Sequence, residues 1–160
     1  MIMEAMLFLP ILFLLIAGMV QFGRLTYTYY TLKKTLYAAA RYIAVQQAVN
    51  FCDPTSDTQV QTAINLAVTG TADASTDPQV VDLTPDMITV AAECVDPVSG
   101  AAGACNTSGC DNAGGGPRPD FIVLTIPDGY QFSLLRIPYI LLDPVLLKPT
   151  VRVPFGGTGA

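Results

Sequence analysis

From Ala5 to Gly23 almost every side chain is apolar and none is charged. Beyond it Leu25, Tyr29, Leu32, Leu36, Ala40 and Ile43 recur at steps of three or four, with Arg24, Lys33, Lys34 and Arg41 between them. Such spacing lines one face of an α-helix. The two patterns together predict one rod from Ile2 to about Val49, roughly 72 Å long at standard rise. Pro10 removes a backbone donor and Gly18 and Gly23 lower helix propensity, which predicts a kink or local melting near Pro10. Neighbouring helices would have to cover the freed groups.

Past the rod the pattern shortens. Asn50 to Pro54 breaks the helix, and Thr55, Ser56 or Asp57 can cap a second one running to about Val68, with Val60, Ile64 and Val68 as its stripe. Thr69 to Pro78 reads as a polar loop, and Met87 to Val95 alternates as a strand. Asp96 to Pro119 has glycine, proline and cysteine but no period, which predicts a long loop. Phe121 to Ile126 is the clearest strand, Asp128 and Gly129 form a turn, and Tyr130 to Leu135 is expected to pair back. Ile137 to Leu147 is apolar but broken by Pro138 and Pro144, Val151 to Phe155 is a last strand, and Gly156 to Ala160 has nothing to fold around. The expected class is α+β, with a long hydrophobic then amphipathic helix, a short helix and a small antiparallel sheet. Residues 1–50 are the helix, with 1–23 its membrane or filament-core segment, and 51–160 a small disulfide-containing globular domain.

The absence of His and Trp changes the range of functions. Without histidine, Ser-His-Asp and Cys-His catalysis are excluded and the commonest transition-metal ligand is missing. The aspartates stand singly in turns, where they shape backbone, so an enzyme is not expected. Gly114 to Gly116 lacks the continuation of a phosphate-binding loop. Asp96, Asp111 and Asp120 could gather around Ca²⁺, but solvated turn acids are the simpler reading, and no metal or cofactor is expected. A net charge of −5 makes nucleic acid an unexpected partner. Tyr27, Tyr29, Tyr30, Tyr37 and Tyr42 read as packing at a wet interface rather than a stacked conduit.

Cys52, Cys94, Cys105 and Cys110 all follow the apolar run, as extracytoplasmic disulfides would, and lack the tight spacing of a zinc site. Four cysteines allow three pairings; local spacing favours Cys105–Cys110 with Cys52–Cys94. Asn106, Thr107 and Ser108 form a glycosylation triplet. No basic residue precedes the apolar run and no A-x-A site follows it, so the run is expected to be retained.

Glu4 is the only charge before Arg24. Burying an acid in a bilayer costs about 2.5 to 3.5 kcal/mol at mid-span, so its position calls for a partner. One reading is a solvated carboxylate at the interface where a membrane helix begins; the sharper one is a pair with a positive group of another copy, the free amine at Met1, which would set the stagger between subunits.

The stretch from Glu4 to Val45 resembles the N-terminal region of TadE-like pseudopilins, the tight-adherence branch of the type IV pilin superfamily. The resemblance rests on Glu4, Pro10, Gly18, Phe22-Gly23-Arg24 and Ala40-Arg41-Tyr42, about a quarter of the chain. Ala5 stands where the family usually has Phe, and the acid is fourth rather than fifth. The resemblance implies a type IV pilin-like fold and a non-enzymatic subunit, inserted in the cytoplasmic membrane after a prepilin peptidase removes a basic leader. Such a leader reconciles Arg24, Lys33, Lys34 and Arg41 with an extracytoplasmic C-terminal part, against the positive-inside rule. It further implies extraction by pilus assembly machinery into a homopolymeric extracellular filament for adhesion, motility or secretion, with Glu4, Met1, Pro10, Gly18, Phe22 and Arg24 as assembly residues. The alternatives are a minor pseudopilin that initiates or caps a fibre of another subunit, and a monomeric membrane-anchored binding domain of the envelope.

Overall fold

The computed structural model describes residues 2–46, 49–105, 118–133 and 144–156. Helix α1, Ile2–Ala44, is followed by helix α2, Thr58–Thr69, and a single 3-10 turn at Pro85–Met87. The strands are β1, Thr89–Val95; β2, Ala102–Ala104; β3, Phe121–Thr125; β4, Tyr130–Phe132; β5, Val145–Leu147; and β6, Thr150–Pro154. This is the expected α+β arrangement of a long helix, a short helix and a small antiparallel sheet.

α1 is α-helical straight through Pro10, so the expected local melting does not occur. One proline removes one rung of the ladder, and the rungs on either side hold the helix together. The helix stops at Ala44, short of the expected end near Val49. There the backbone N–H of Gln46 turns onto the Ile43 carbonyl at 3.0 Å, and the Ala44 carbonyl accepts from Gly156 N–H at 3.0 Å. The end of α1 is thus tied to the end of β6, and Phe51 meets Phe155 edge to face at 5.8 Å nearby.

Of the three candidate caps, Asp57 is the one used. Its Oδ1 accepts from the N–H groups of Gln59 at 2.8 Å and Val60 at 3.1 Å, while Oδ2 accepts from Asn50 N–H at 2.8 Å. One carboxylate therefore starts α2 and pins the returning chain. Gly70 closes the helix at φ 80°, donating to the Leu66 carbonyl, a conformation that glycine adopts without strain.

The main sheet has the order β2-β1-β3-β6, antiparallel throughout. Alternation sorts its residues into two faces. On the inner face the register lines up Val90, Leu124 and Val151 in one row and Ala92, Ile122 and Val153 in the next. Leu32, Leu36, Ala39, Ala40 and Ile43 of α1 and Val60, Ala63, Ile64 and Ala67 of α2 join this core. On the outer face Arg152 lies 3.7 Å above the Phe121 ring and bonds Glu93 at 2.9 Å. Thr125 and Thr150 bridge their hydroxyls at 3.2 Å.

Three strand expectations are corrected. Met87 belongs to the 3-10 turn, so β1 begins at Thr89. The expected loop after Asp96 contains β2, whose Ala-Gly-Ala carries no hydrophobic period and becomes a strand only by pairing with Glu93, Cys94 and Val95. The Asp96 carboxylate builds the connecting turn, accepting from Val98 N–H at 2.7 Å and Ser99 N–H at 3.2 Å. Those bonds hold its pKa below the ordinary carboxylate range. Lastly, β4 does not pair back on β3. It pairs with β5, and β6 takes the place beside β3, because Val151 and Val153 supply apolar partners in register with Leu124 and Ile122.

The favoured disulfide pairing is also corrected. Cys94 bonds Cys105, with Cα atoms 4.8 Å apart, so Cys105 is not joined to Cys110 nor Cys94 to Cys52. The β1–β2 hairpin brings the two together: Cys94 sits opposite Gly103, and Cys105 N–H donates to the Ala92 carbonyl at 3.3 Å. Cys52 is itself disulfide-bonded, and Cys110 lies outside the described residues. From the 11-residue separation, Cys105→Ser should destabilise the folded part by roughly 3 kcal/mol. The check is the shift of the urea midpoint between oxidised wild type and variant.

Candidate assembly interface

α1 is divided by burial into two halves. Leu32 and Ile43 are 0% exposed, whereas Ile11, Leu12, Phe13, Leu14, Leu15 and Ile16 are each more than half exposed. Six consecutive residues pass around the whole circumference of the helix, so among the described residues no side of this segment is covered by the rest of the chain. Met6, Phe8, Met19, Val20 and Phe22 extend the exposed apolar surface. From Phe8 to Ala44 the helix is long and apolar enough, by length and composition, to cross a membrane.

The boundary between the halves follows from the sequence pattern. Apolar residues around the whole circumference demand an apolar surrounding, while the stripe after Gly23 needs only one covered side. Among the described residues, Leu25 is the first apolar side chain of α1 packed against the core. Threonines accompany the transition: Thr26 Oγ1 donates to the Phe22 carbonyl and Thr31 Oγ1 to the Tyr27 carbonyl, both at 2.9 Å. These bonds satisfy hydroxyls on an exposed helix surface without a partner chain.

The expected assembly residues occupy this surface in different ways. Pro10 is exposed within α1, and Phe22 is 71% exposed. Gly18 and Gly23 have nothing within 4 Å of where a Cβ would lie, leaving strips on which another helix backbone can approach closely. Arg24 lines a cleft of about 330 Å³ together with Tyr27, Asp82, Tyr130 and Gln131. Tyr130 is fixed there by donating its hydroxyl to the Val81 carbonyl at 2.7 Å. Burial, then the nearby Asp82 charge, pushes its phenol pKa up. Met1 and the side chain of Glu4 lie outside the described residues, so the expected amine partner is not seen; Glu4 itself is in α1. Asn106 lies outside them too.

Tyr27, Tyr29, Tyr30 and Tyr37 are exposed on α1, and Tyr42 turns inward to bond Gln59 Oε1 at 3.2 Å. Lys33 lies 5.6 Å over the Tyr29 ring and Arg41 5.1 Å over Tyr37. Tyr30, Lys33, Lys34 and Tyr37 also border a groove beside β6 that periodicity along α1 alone gave no means to find, since its far wall comes from Thr150 to Arg152. Asp96 and Asp120 serve the backbone: Asp120 Oδ2 accepts from Val95 N–H at 2.7 Å. Among the described residues no three His, Cys, Asp or Glu side chains gather as a metal site.

Residues 1–41 match the model of a family described as TadE-like protein. The matched region is the exposed apolar segment together with most of the buried stripe. No curated protein and no solved structure matches the chain.

Proposed function

We propose that this chain is a structural, non-catalytic pilin subunit of the tight-adherence type, which polymerises through its N-terminal helix into an extracellular filament. The observation that carries the reading is the bare apolar rod, exposed on every side from Ile11 to Ile16, continuous with a helix half locked into a folded head. Leaving that surface in water is unfavourable by about 25 cal/mol per Å². A bilayer covers it in one state of the protein and neighbouring copies of α1 in another. The TadE-like match over residues 1–41 supports the same assignment from a separate direction.

In this reading the cytoplasmic membrane holds the subunit before assembly, after a prepilin peptidase has acted, and the pilus assembly machinery withdraws it. Each head remains outside the bundle, because its own core already covers the second half of α1. Contacts between unlike surfaces of identical copies extend into a helical polymer where the rotation from one copy to the next does not close a ring. Negative-stain microscopy and mass spectrometry of sheared surface material test this. Uniform fibres made chiefly of this chain are expected. Fibres containing it only as a trace component would instead identify an initiating or capping subunit. Its recovery solely from membranes as a monomer would identify an anchored envelope domain.

A further inference from the structure

Charge in this chain is sorted along the sequence, and the fold converts that sorting into two different sides. Between residues 42 and 117 there are nine acidic residues and no Lys or Arg. Asp53 and Asp86 lie at the N-terminal end of α2, where Pro54, Thr55, Gln61 and Asp86 line one cleft with Thr89 and Val90 of β1. Asp73 and Asp77 follow its C-terminal end, in a segment held there by Gln79 N–H on the Val68 carbonyl at 2.8 Å. All four are exposed. α1, by contrast, packs over β3 and β6, and β6 is an edge strand. There Tyr30, Lys33, Lys34, Tyr37, Val151 and Arg152 line an open groove of about 430 Å³, with three cationic and no acidic side chains in its wall among the described residues. Glu93 already pairs with Arg152, so the two lysines supply most of the charge that a partner would meet.

We propose that this basic groove docks the acidic α2 side of a second copy of the chain, forming a contact between heads that sets their lateral spacing. The proposal rests on the polymeric reading above and adds a second interface to it, separate from the apolar rod. Opposite charges on opposite flanks of one fold make each head attractive to the next in the same orientation, a contact that repeats without closing. Like flanks repel, which disfavours a two-fold pair. The exposed tyrosines give the groove flat, rigid surface between the cations, suited to a partner of mixed polar character. Asp57 caps α2 and Asp96 builds a turn, whereas the exposed Asp77 and Asp86 carboxylates do neither and are available to a neighbour.

The test places a benzophenone-bearing amino acid at Tyr37 in the full chain, expressed in its own cells, and maps light-induced adducts by mass spectrometry. That position keeps an aromatic ring in the groove and leaves both lysines in place. Dimer-sized adducts ending within residues 53–86 are expected. Lys33→Glu alone should lower their yield, and Asp77→Lys with Asp86→Lys should lower it about tenfold. Combining Lys33→Glu with the two aspartate changes should restore much of it. Absence of such adducts overturns the proposal: if fibres are still present, the polymeric reading stands alone, and if fibres are also absent, both fall. Adducts to lipid would mean that the basic residues serve anionic headgroups, and either that result or a loss that the combined variant does not restore would likewise overturn it.

Discussion

Glu4→Ala should reduce fibre yield at least about tenfold while leaving the protein fully inserted in the membrane. The sign of each half of this expectation comes from the same charge. An acid at the apolar end of α1 opposes burial by about 2.5 to 3.5 kcal/mol at bilayer depth, so removing it makes the membrane state no less favourable. In a filament core, the same acid stabilises only the arrangement that supplies it with a cation. Deleting it removes the preference for one stagger among many apolar ones. A tenfold loss corresponds to about 1.4 kcal/mol per subunit contact, well within what a desolvated ion pair contributes. Glu4→Gln keeps size and polarity and should fail similarly, which separates charge from shape. Fibre yield in sheared fractions, set against the amount of subunit in membranes, is the measurement. Normal yield from either variant would remove Glu4 from the assembly mechanism.

The second large effect lies in the other half of the same helix. Leu36 is 1% exposed, at the centre of the packing between α1, α2 and the sheet. Leu36→Ala should destabilise the head by about 2 to 5 kcal/mol, through lost transfer energy and the cavity left behind. Set against the roughly 5 to 15 kcal/mol typical of a domain, that loss is enough to lower the amount of folded protein. Leu12→Ala, on the bare segment, should change head stability by less than about 0.5 kcal/mol. Urea titration in mild detergent, followed by tyrosine emission since the chain has no tryptophan, compares the two. Equal midpoints for Leu36→Ala and Leu12→Ala would contradict the division of α1 into a packed half and a free half.

That division also marks how far the sequence could be read. The order of a long helix, a short helix and a small sheet was legible, as were Asp57 among the possible caps, the turn at Gly129 and the strand at Phe121, because each depends on neighbours within a few residues. Pro10 was legible as a residue, but the local melting expected there does not occur, since a single missing donor does not outweigh the flanking turns. β2 was illegible: Ala102, Gly103 and Ala104 have no pattern of their own and acquire one from β1. The Cys94–Cys105 bond was missed for the same reason, because the hairpin that joins them depends on that unrecognised strand.

By itself the sequence determined the apolar rod, the position of its first charge and the segregation of acidic from basic residues, all properties of composition and short period that survive any packing. Only the tertiary structure decided which strand lies beside β3, which cysteine bonds Cys94, and that Lys33 and Lys34 share a groove with Arg152. These are meetings of residues far apart in the chain. Their pairing is settled by which apolar faces fit together, and no local pattern records that choice.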